Sequence, residues 1–226
     1  MSAPGSLPYY YDEPRVVEEW IRRYETMTPR ERRRFDANLQ FIGSAGRLPG
    51  AARVLSVGAG TGDYEIRLPV RVICVDLSLP MCRVQKHKGL TAVRGAAHLL
   101  PFKESQFGLV LAINLSSLHY GPAERQPVLA EFRRVLRKNG RLVLITANER
   151  WVRFSSLRRS GDPNKDEYRV HPGRLARELR ALGFHVVWGP RIERLRMEPR
   201  NALPALVGWN LLNAWTVTLG VKLDMP

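Results

Sequence analysis

Three glycines at alternate positions close the run Leu55-Ser56-Val57-Gly58-Ala59-Gly60-Thr61-Gly62, and a carboxylate, Asp76, ends the next apolar run, Val72-Ile73-Cys74-Val75-Asp76. Glycines let a ligand approach the backbone, and a strand-end carboxylate about fourteen residues further on can accept both hydroxyls of a ribose. In the dinucleotide fingerprint the third glycine falls three residues after the second, which suits a pyrophosphate at a helix N-terminus. Here Asp63 holds that position and the glycine comes one residue early, so the spacing favours a ligand without a pyrophosphate. Glycine turns and strand-end aspartates are each common. In this order and at this distance they point to a nucleoside.

Such residues need strands to carry them. From Ala52 onward the chain breaks into short apolar runs separated by turns: RVLSVGA, RVICVDL, TAVRG, FGLVLAINL, RLVLITA and FHVVWG. Each has the length of a buried strand. Helical segments lie between them. PAERQPVLAEFRRVLRKNG has proline near its start and Asn139-Gly140 as an expected C-cap, and HPGRLARELRALG repeats the device with Pro172 and Gly183. The segment DYEIRL after the glycines could begin a further helix. Strands that are apolar on both faces and alternate with helices predict an α/β, Rossmann-like doubly wound, mostly parallel sheet with helices on both faces. Its ligand belongs beyond the carboxyl ends of the strands. Ahead of the sheet, residues 9–46 read as two helices. VVEEWIRRYETM is amphipathic, and Thr28-Pro29-Arg30-Glu31 combines an N-cap, a proline at the first helical position and a capping-box glutamate.

From about Arg53 to Val187 the chain resembles a class I S-adenosylmethionine-dependent methyltransferase, within the broad small-molecule and lipid-quinone group of that superfamily. VLSVGAGTG resembles the family's first motif and VICVDLS its second. GAAHLLPFKESQFGLVLAI resembles its third block and EFRRVLRKNGRLVLIT its following helix and strand. The resemblance implies a seven-stranded sheet, with S-adenosyl-L-methionine as cofactor and S-adenosyl-L-homocysteine as product. It implies that Gly58, Ala59 and Gly60 lie against the methionine part of the cofactor, that Gly62 is a further cofactor-side residue and that Asp76 holds the ribose hydroxyls. Leu77 would pack on the adenine, Ala96 and Ala97 would border its edge, and Asn114 is a further cofactor-side candidate. Three positions depart from the family pattern. Ala96 stands where an acidic residue accepts from the adenine amino group, Gly108 where an aspartate follows the block's phenylalanine, and Ser56 where the first motif often carries an acid. One lost hydrogen bond to a partly solvated amino group weakens binding by about 0.5–1.5 kcal/mol.

A sulfonium is an intrinsically good methyl donor, so the protein mainly has to align an acceptor in line and exclude water. His119 and Tyr120, after the run FGLVLAINL, are the candidates for an acceptor-side base, with His171 behind them. One ring of Tyr9, Tyr10 and Tyr11 could close the site. The organisation expected is an N-terminal helical cap over residues 1–50 and a cofactor-binding domain over 51–226, with 150–172 as an acceptor-side loop. The formal net charge of +15 raises an RNA acceptor as an alternative. Against it, Asn114-Leu115-Ser116-Ser117 stands where methyltransferases of base amines carry Asn/Asp-Pro-Pro-aromatic. A small-molecule or lipid-like acceptor therefore leads, and a non-catalytic scaffold that binds the cofactor is the third reading, motivated by Ala96 and Gly108.

Cys74 and Cys82 lack the spacing of a zinc site or a disulfide framework, so no metal is expected and both are read as reduced packing residues. The start, MSAPGSLPYYYDEP, lacks the features of a secretory signal, which makes a cytoplasmic location the default. The uncharged stretch from Asn201 to Val221 is at the short limit for a bilayer and contains Pro204, Gly208 and Gly220. It reads as a buried helix running into a last strand, WTVTLGVKL, and leaves room for weak peripheral membrane contact. Oligomeric state is not legible.

Overall fold

The apolar runs pair side by side. In the computed structural model, which describes residues 11–45, 53–115, 118, 121–147, 172–188 and 215–222, Val54–Val57 (β1), Val72–Asp76 (β2), Thr91–Arg94 (β3), Phe107–Ile113 (β4), Leu136–Ala147 (β5), Phe184–Trp188 (β6) and Trp215–Lys222 (β7) share one sheet. Their order is β3-β2-β1-β4-β5-β7-β6. The strands from β3 to β5 are parallel, and β7 runs antiparallel to both β5 and β6. The chain winds outward from β1 to β3, then returns to lay β4 on the other side of β1. That reversal opens a crevice at the carboxyl ends of β1 and β4, where α/β sheets bind ligands.

Alternation along each strand feeds two cores. Leu55, Val57, Val110, Ala112, Leu142 and Leu144 point to one face, where Val128, Leu129 and Phe132 of helix Pro122–Val135 and Leu175 and Leu179 of helix Pro172–Ala181 cover them. On the other face Val54, Leu109, Leu111, Val143 and Ile145 meet Phe35, Phe41 and Ile42 of helix Pro29–Ala45. In chain order the helices are Pro14–Glu25 (α1), Pro29–Ala45 (α2), Leu79–His87 (α3), Pro122–Val135 (α4) and Pro172–Ala181 (α5). The doubly wound α/β architecture with helices on both faces is the one the alternation of runs predicts.

Local signals explain the helix starts. At α2 the Thr28 amide donates to Glu31 Oε2 at 2.9 Å and the Glu31 amide donates to Thr28 Oγ1 at 3.3 Å, the reciprocal capping box. Ser78 caps α3 by accepting from the Met81 amide. Two boundaries differ from expectation. Helix α4 ends at Val135 and β5 already begins at Leu136, so Asn139-Gly140 is no C-cap. Asn139 instead adopts φ +57° where the β4–β5 register shifts between Phe107 and Leu109, because pairing with β4 captures Leu136 before the helix can continue. DYEIRL forms only a single 3-10 turn, Glu65–Arg67, before Leu68 turns extended.

One buried ion pair ties the helices of the first face together. Arg125 of α4 donates to Glu178 of α5 through Nε at 2.6 Å and Nη2 at 2.7 Å, and through Nη1 to the Leu118 carbonyl at 3.0 Å. Both cysteines are buried thiols, as the packing reading expects. Among the described residues no helix is long and apolar enough to cross a membrane.

Candidate active site

The turn after β1 is built so that its backbone can be approached. Gly58, Gly60 and Gly62 all take positive φ (68°, 56° and 75°), a region where a side chain is strained. A Cβ on Gly58 would also meet Leu115 Cδ1 at 2.5 Å, whereas the space beside Gly60 is open to 4 Å. The turn is held from outside: Gln85 Nε2 of α3 donates to the Gly60 carbonyl at 2.6 Å, and Lys88 Nζ donates to the Thr61 carbonyl at 2.9 Å.

Asp76, at the end of β2, braces the same turn. Its Oδ2 accepts from the Gly60 amide at 2.8 Å and its Oδ1 from the Ser78 amide at 3.0 Å. Each oxygen of an ionised carboxylate has room for about two donors, so both keep capacity for a ligand hydroxyl. Burial pushes the Asp76 carboxyl above the usual carboxylate range, and backbone hydrogen bonds from Ser78, Gly60 and Leu77 oppose that shift.

These elements border a cleft of about 350 Å³. Gly58, Ala59 and Gly60 line its floor, with Asp76, Leu77, Ala96, Ala97 and Asn114 along the walls, so eight of the nine cofactor-side residues singled out by sequence meet there. Gly62 does not border the cleft; its amide closes the turn onto the Ala59 carbonyl at 3.0 Å. Leu77 is an exposed apolar side chain, 43% accessible, next to Asp76. Of the N-terminal tyrosines, Tyr11 borders the cleft and its carbonyl accepts from Ser78 Oγ at 2.8 Å, which straps the start of α1 to the β2 end. Tyr9, Tyr10, His119, Tyr120, His171, residues 150–171 of the expected 150–172 loop, whose last residue Pro172 already begins α5, and most of the 201–221 stretch lie outside the described residues.

Several lining residues carried no signal that the sequence analysis used. Trp20 and Tyr24 of α1 and Tyr64 line the cleft, where Tyr24 and Tyr64 make edge and tilted ring contacts with each other and with Phe35 of α2. Glu65 is the other. It follows the glycine turn within DYEIRL, is 3% exposed, and its Oε1 accepts from Ser56 Oγ at 2.6 Å. The serine standing where an acid is common was the available hint.

Of the departures from the family pattern, Gly108 is buried inside β4, bonded to the Arg53 carbonyl, and does not border the cleft. Ala96 does border it, so one side-chain acceptor is missing there. Elsewhere in the cleft wall stands Asn114, at φ +54° beyond β4, whose Oδ1 is buried without a partner among the described residues. A buried acceptor left unmade costs about 1–3 kcal/mol, which a ligand donor would recover. Among the described residues no cluster of His, Cys, Asp or Glu could hold a metal.

Comparison with known proteins agrees with this geometry. Residues 55–144 match the family model described as a methyltransferase domain. An uncharacterized methyltransferase of Mycobacterium tuberculosis is 38% identical over 132 residues, 53% of this chain and 52% of the relative. This chain thus spans about half the length, or less, of the curated relatives it matches. A Thermotoga maritima methyltransferase structure, described as a possible histamine N-methyltransferase, aligns over 95% of this chain and 99% of its own at 21% identity and TM-score 0.65. Magnesium protoporphyrin IX methyltransferase from Synechocystis, solved with S-adenosylhomocysteine, aligns over 96% and 98% at 16% identity and TM-score 0.69.

Residues 55–144 thus resemble a methyltransferase domain, and the fold is one that solved S-adenosylmethionine-dependent methyltransferases share. S-adenosylmethionine is the cofactor of that class. The cleft fits it on this chain's own features: an approachable glycine turn, a ribose-competent carboxylate, an exposed leucine beside it and an orphaned acceptor at Asn114.

Proposed function

We propose that the protein transfers the methyl group of S-adenosylmethionine to a small-molecule or lipid-like acceptor by direct in-line displacement. The observation that carries this reading is Asp76, whose carboxylate is fixed by the Gly60 and Ser78 amides and borders the cleft beside the glycine turn. When bound, the cofactor supplies an activated methyl group on a sulfonium. The chain supplies the rest. Asp76 takes the ribose hydroxyls, Leu77 lies on the adenine, Ala97 meets its edge through the backbone, and Gly58 to Gly60 let the methionine end lie against the turn. Trp20, Tyr24 and Tyr64 exclude water from the reacting end, which strengthens alignment at the methyl group.

An apolar acceptor is favoured by the apolar walls Trp20, Ile113 and Leu115 and by the uncharged stretch Asn201 to Val221. Its identity does not transfer from structural neighbours, since a possible histamine N-methyltransferase and a magnesium protoporphyrin IX methyltransferase share this fold. His119 and Tyr120 remain the proposed acceptor-side groups, and a base is needed only if the acceptor is a hydroxyl or a protonated amine. Calorimetric binding of S-adenosylmethionine and S-adenosylhomocysteine, with Asp76→Ala as control, tests the donor half of the reading. Binding that the variant loses supports it and justifies an acceptor screen; no binding to the wild type refutes it.

A further inference from the structure

The cleft contains a buried charge that this reading does not use. Two acids leave the glycine turn, and the fold treats them differently. Asp63 is neutralised by Lys88 Nζ at 3.0 Å and by Arg67 at 3.8 Å, and it accepts from the Thr61 hydroxyl. Glu65 has the Ser56 hydroxyl and, among the described residues, no ion pair. The groups that act on it from its own turn and from β2 are Asp63 and Asp76, both of which raise its carboxyl further. Glu65 in turn raises Cys74 on β2 and Tyr24 on α1. Of the cations around it, Arg67 and Lys88 sit on Asp63, while Arg23 and Arg34 act on Tyr64. Tyr64, the neighbour of Glu65 in the chain, shares a small side chamber with Asn114, whose orphaned Oδ1 is the second uncompensated acceptor in this wall.

A buried carboxylate with no counter-charge is costly unless a ligand brings one. S-adenosylmethionine carries its nucleoside at one end and an amino acid with an α-ammonium at the other. With Asp76 and Leu77 taking the nucleoside, the amino-acid end lies along the glycine turn, above Glu65.

We propose that Glu65, held by the Ser56 hydroxyl, is the counter-charge for the α-ammonium of the donor, with Asn114 Oδ1 as a second acceptor. The inference rests on the donor reading above. It places this chain's cleft acid on the turn after β1 instead of in β1, where Ser56 stands. Donor binding then carries a proton consequence. Burial pushes the Glu65 carboxyl up to about 7, so near neutrality a good part of the protein holds a proton there. An ammonium beside it favours the ionised form, and the Glu65 proton leaves to solvent while the ammonium keeps its own.

The test is calorimetry of S-adenosylhomocysteine and of 5′-methylthioadenosine, which keeps the nucleoside and lacks the amino-acid end. Binding is measured between pH 6 and 8 in two buffers of different ionisation enthalpy. For the wild type, S-adenosylhomocysteine should release close to one proton at pH 6 and gain about tenfold in affinity by pH 8, the factor set by a group titrating near neutrality. Methylthioadenosine should show neither effect. Glu65→Gln should remove the proton release and flatten the pH profile for S-adenosylhomocysteine, with methylthioadenosine binding unchanged as the check on folding. Unchanged affinity and proton count in that variant would overturn the proposal. Should Glu65→Gln fail to fold, Ser56→Ala decides, because losing the hydroxyl must move the rise in affinity to higher pH, and no movement overturns the proposal. If the wild type binds neither ligand, the donor reading falls and takes this inference with it. Binding of both without any pH dependence removes the inference alone.

Discussion

Buried charge is handled in opposite ways in two regions of this molecule. Between α4 and α5, Arg125 at 3% exposure meets Glu178 in a two-pronged pair and gives its third donor to a backbone carbonyl. In the cleft, Glu65 is just as buried and has the Ser56 hydroxyl and its own backbone amide but, among the described residues, no ion pair. The first arrangement is complete without any ligand, and the second is not. A charge whose partners all come from the chain belongs to the fold, whereas one left without a counter-charge in a cleft wall is where a ligand's charge is expected.

The comparison can be broken at the fold end by Arg125→Leu, which leaves Glu178 without its partner and should lower unfolding free energy by about 3–5 kcal/mol in denaturant titration. S-adenosylhomocysteine affinity in the folded fraction should not change. At the ligand end, Asp76→Ala removes the proposed ribose acceptor and the brace on the Gly60 amide. Losing two hydrogen bonds to a charged group should weaken S-adenosylhomocysteine binding about a hundredfold, read by calorimetry.

Glu65 sharpens the contrast through pH. Its folded-state carboxyl is raised from the ordinary 4.5 to about 7, so its contribution to stability is full below 4.5 and is lost as pH rises through about 7. The stability difference between wild type and Glu65→Gln, measured by denaturant titration without ligand, should therefore shift against the wild type by on the order of 2 kcal/mol between pH 5 and 8. An unchanged difference would mean the carboxyl is already compensated. The smallest effect is expected at Asp63, whose cationic partners are partly exposed. Asp63→Asn should cost about 1 kcal/mol of stability and leave the pH profile of ligand binding in place.

Much of the fold was legible because strands and helices announce themselves locally. The runs around Val54, Val72, Thr91, Phe107 and Phe184 and the capping box at Thr28 and Glu31 are properties of neighbouring residues. Boundaries set by partners were not: Leu136 leaves α4 because Phe107 pairs with it across β4 and β5, and the helical composition of PAERQPVLAEFRRVLRKNG holds no trace of that. The site divides along the same line. Gly58, Gly60 and Asp76 were readable because a turn and a strand end fix them within one β-turn-β segment. The bond from the Gly62 amide to the Ala59 carbonyl appears only in the closed turn, and the glycine spacing holds no trace of it.

What the sequence by itself determined is the order of elements, the glycine turn and the carboxylate at the end of β2, all products of short-range periodicity and spacing. The tertiary structure alone decided that α1 brings Trp20 and Tyr24 to the cleft beside Tyr64, that Gly108 is a strand residue away from it, and that Glu65 reaches Ser56 without meeting a cation. The physical reason is that burial and charge compensation depend on which distant segments arrive at one place, and no window of sequence contains that information.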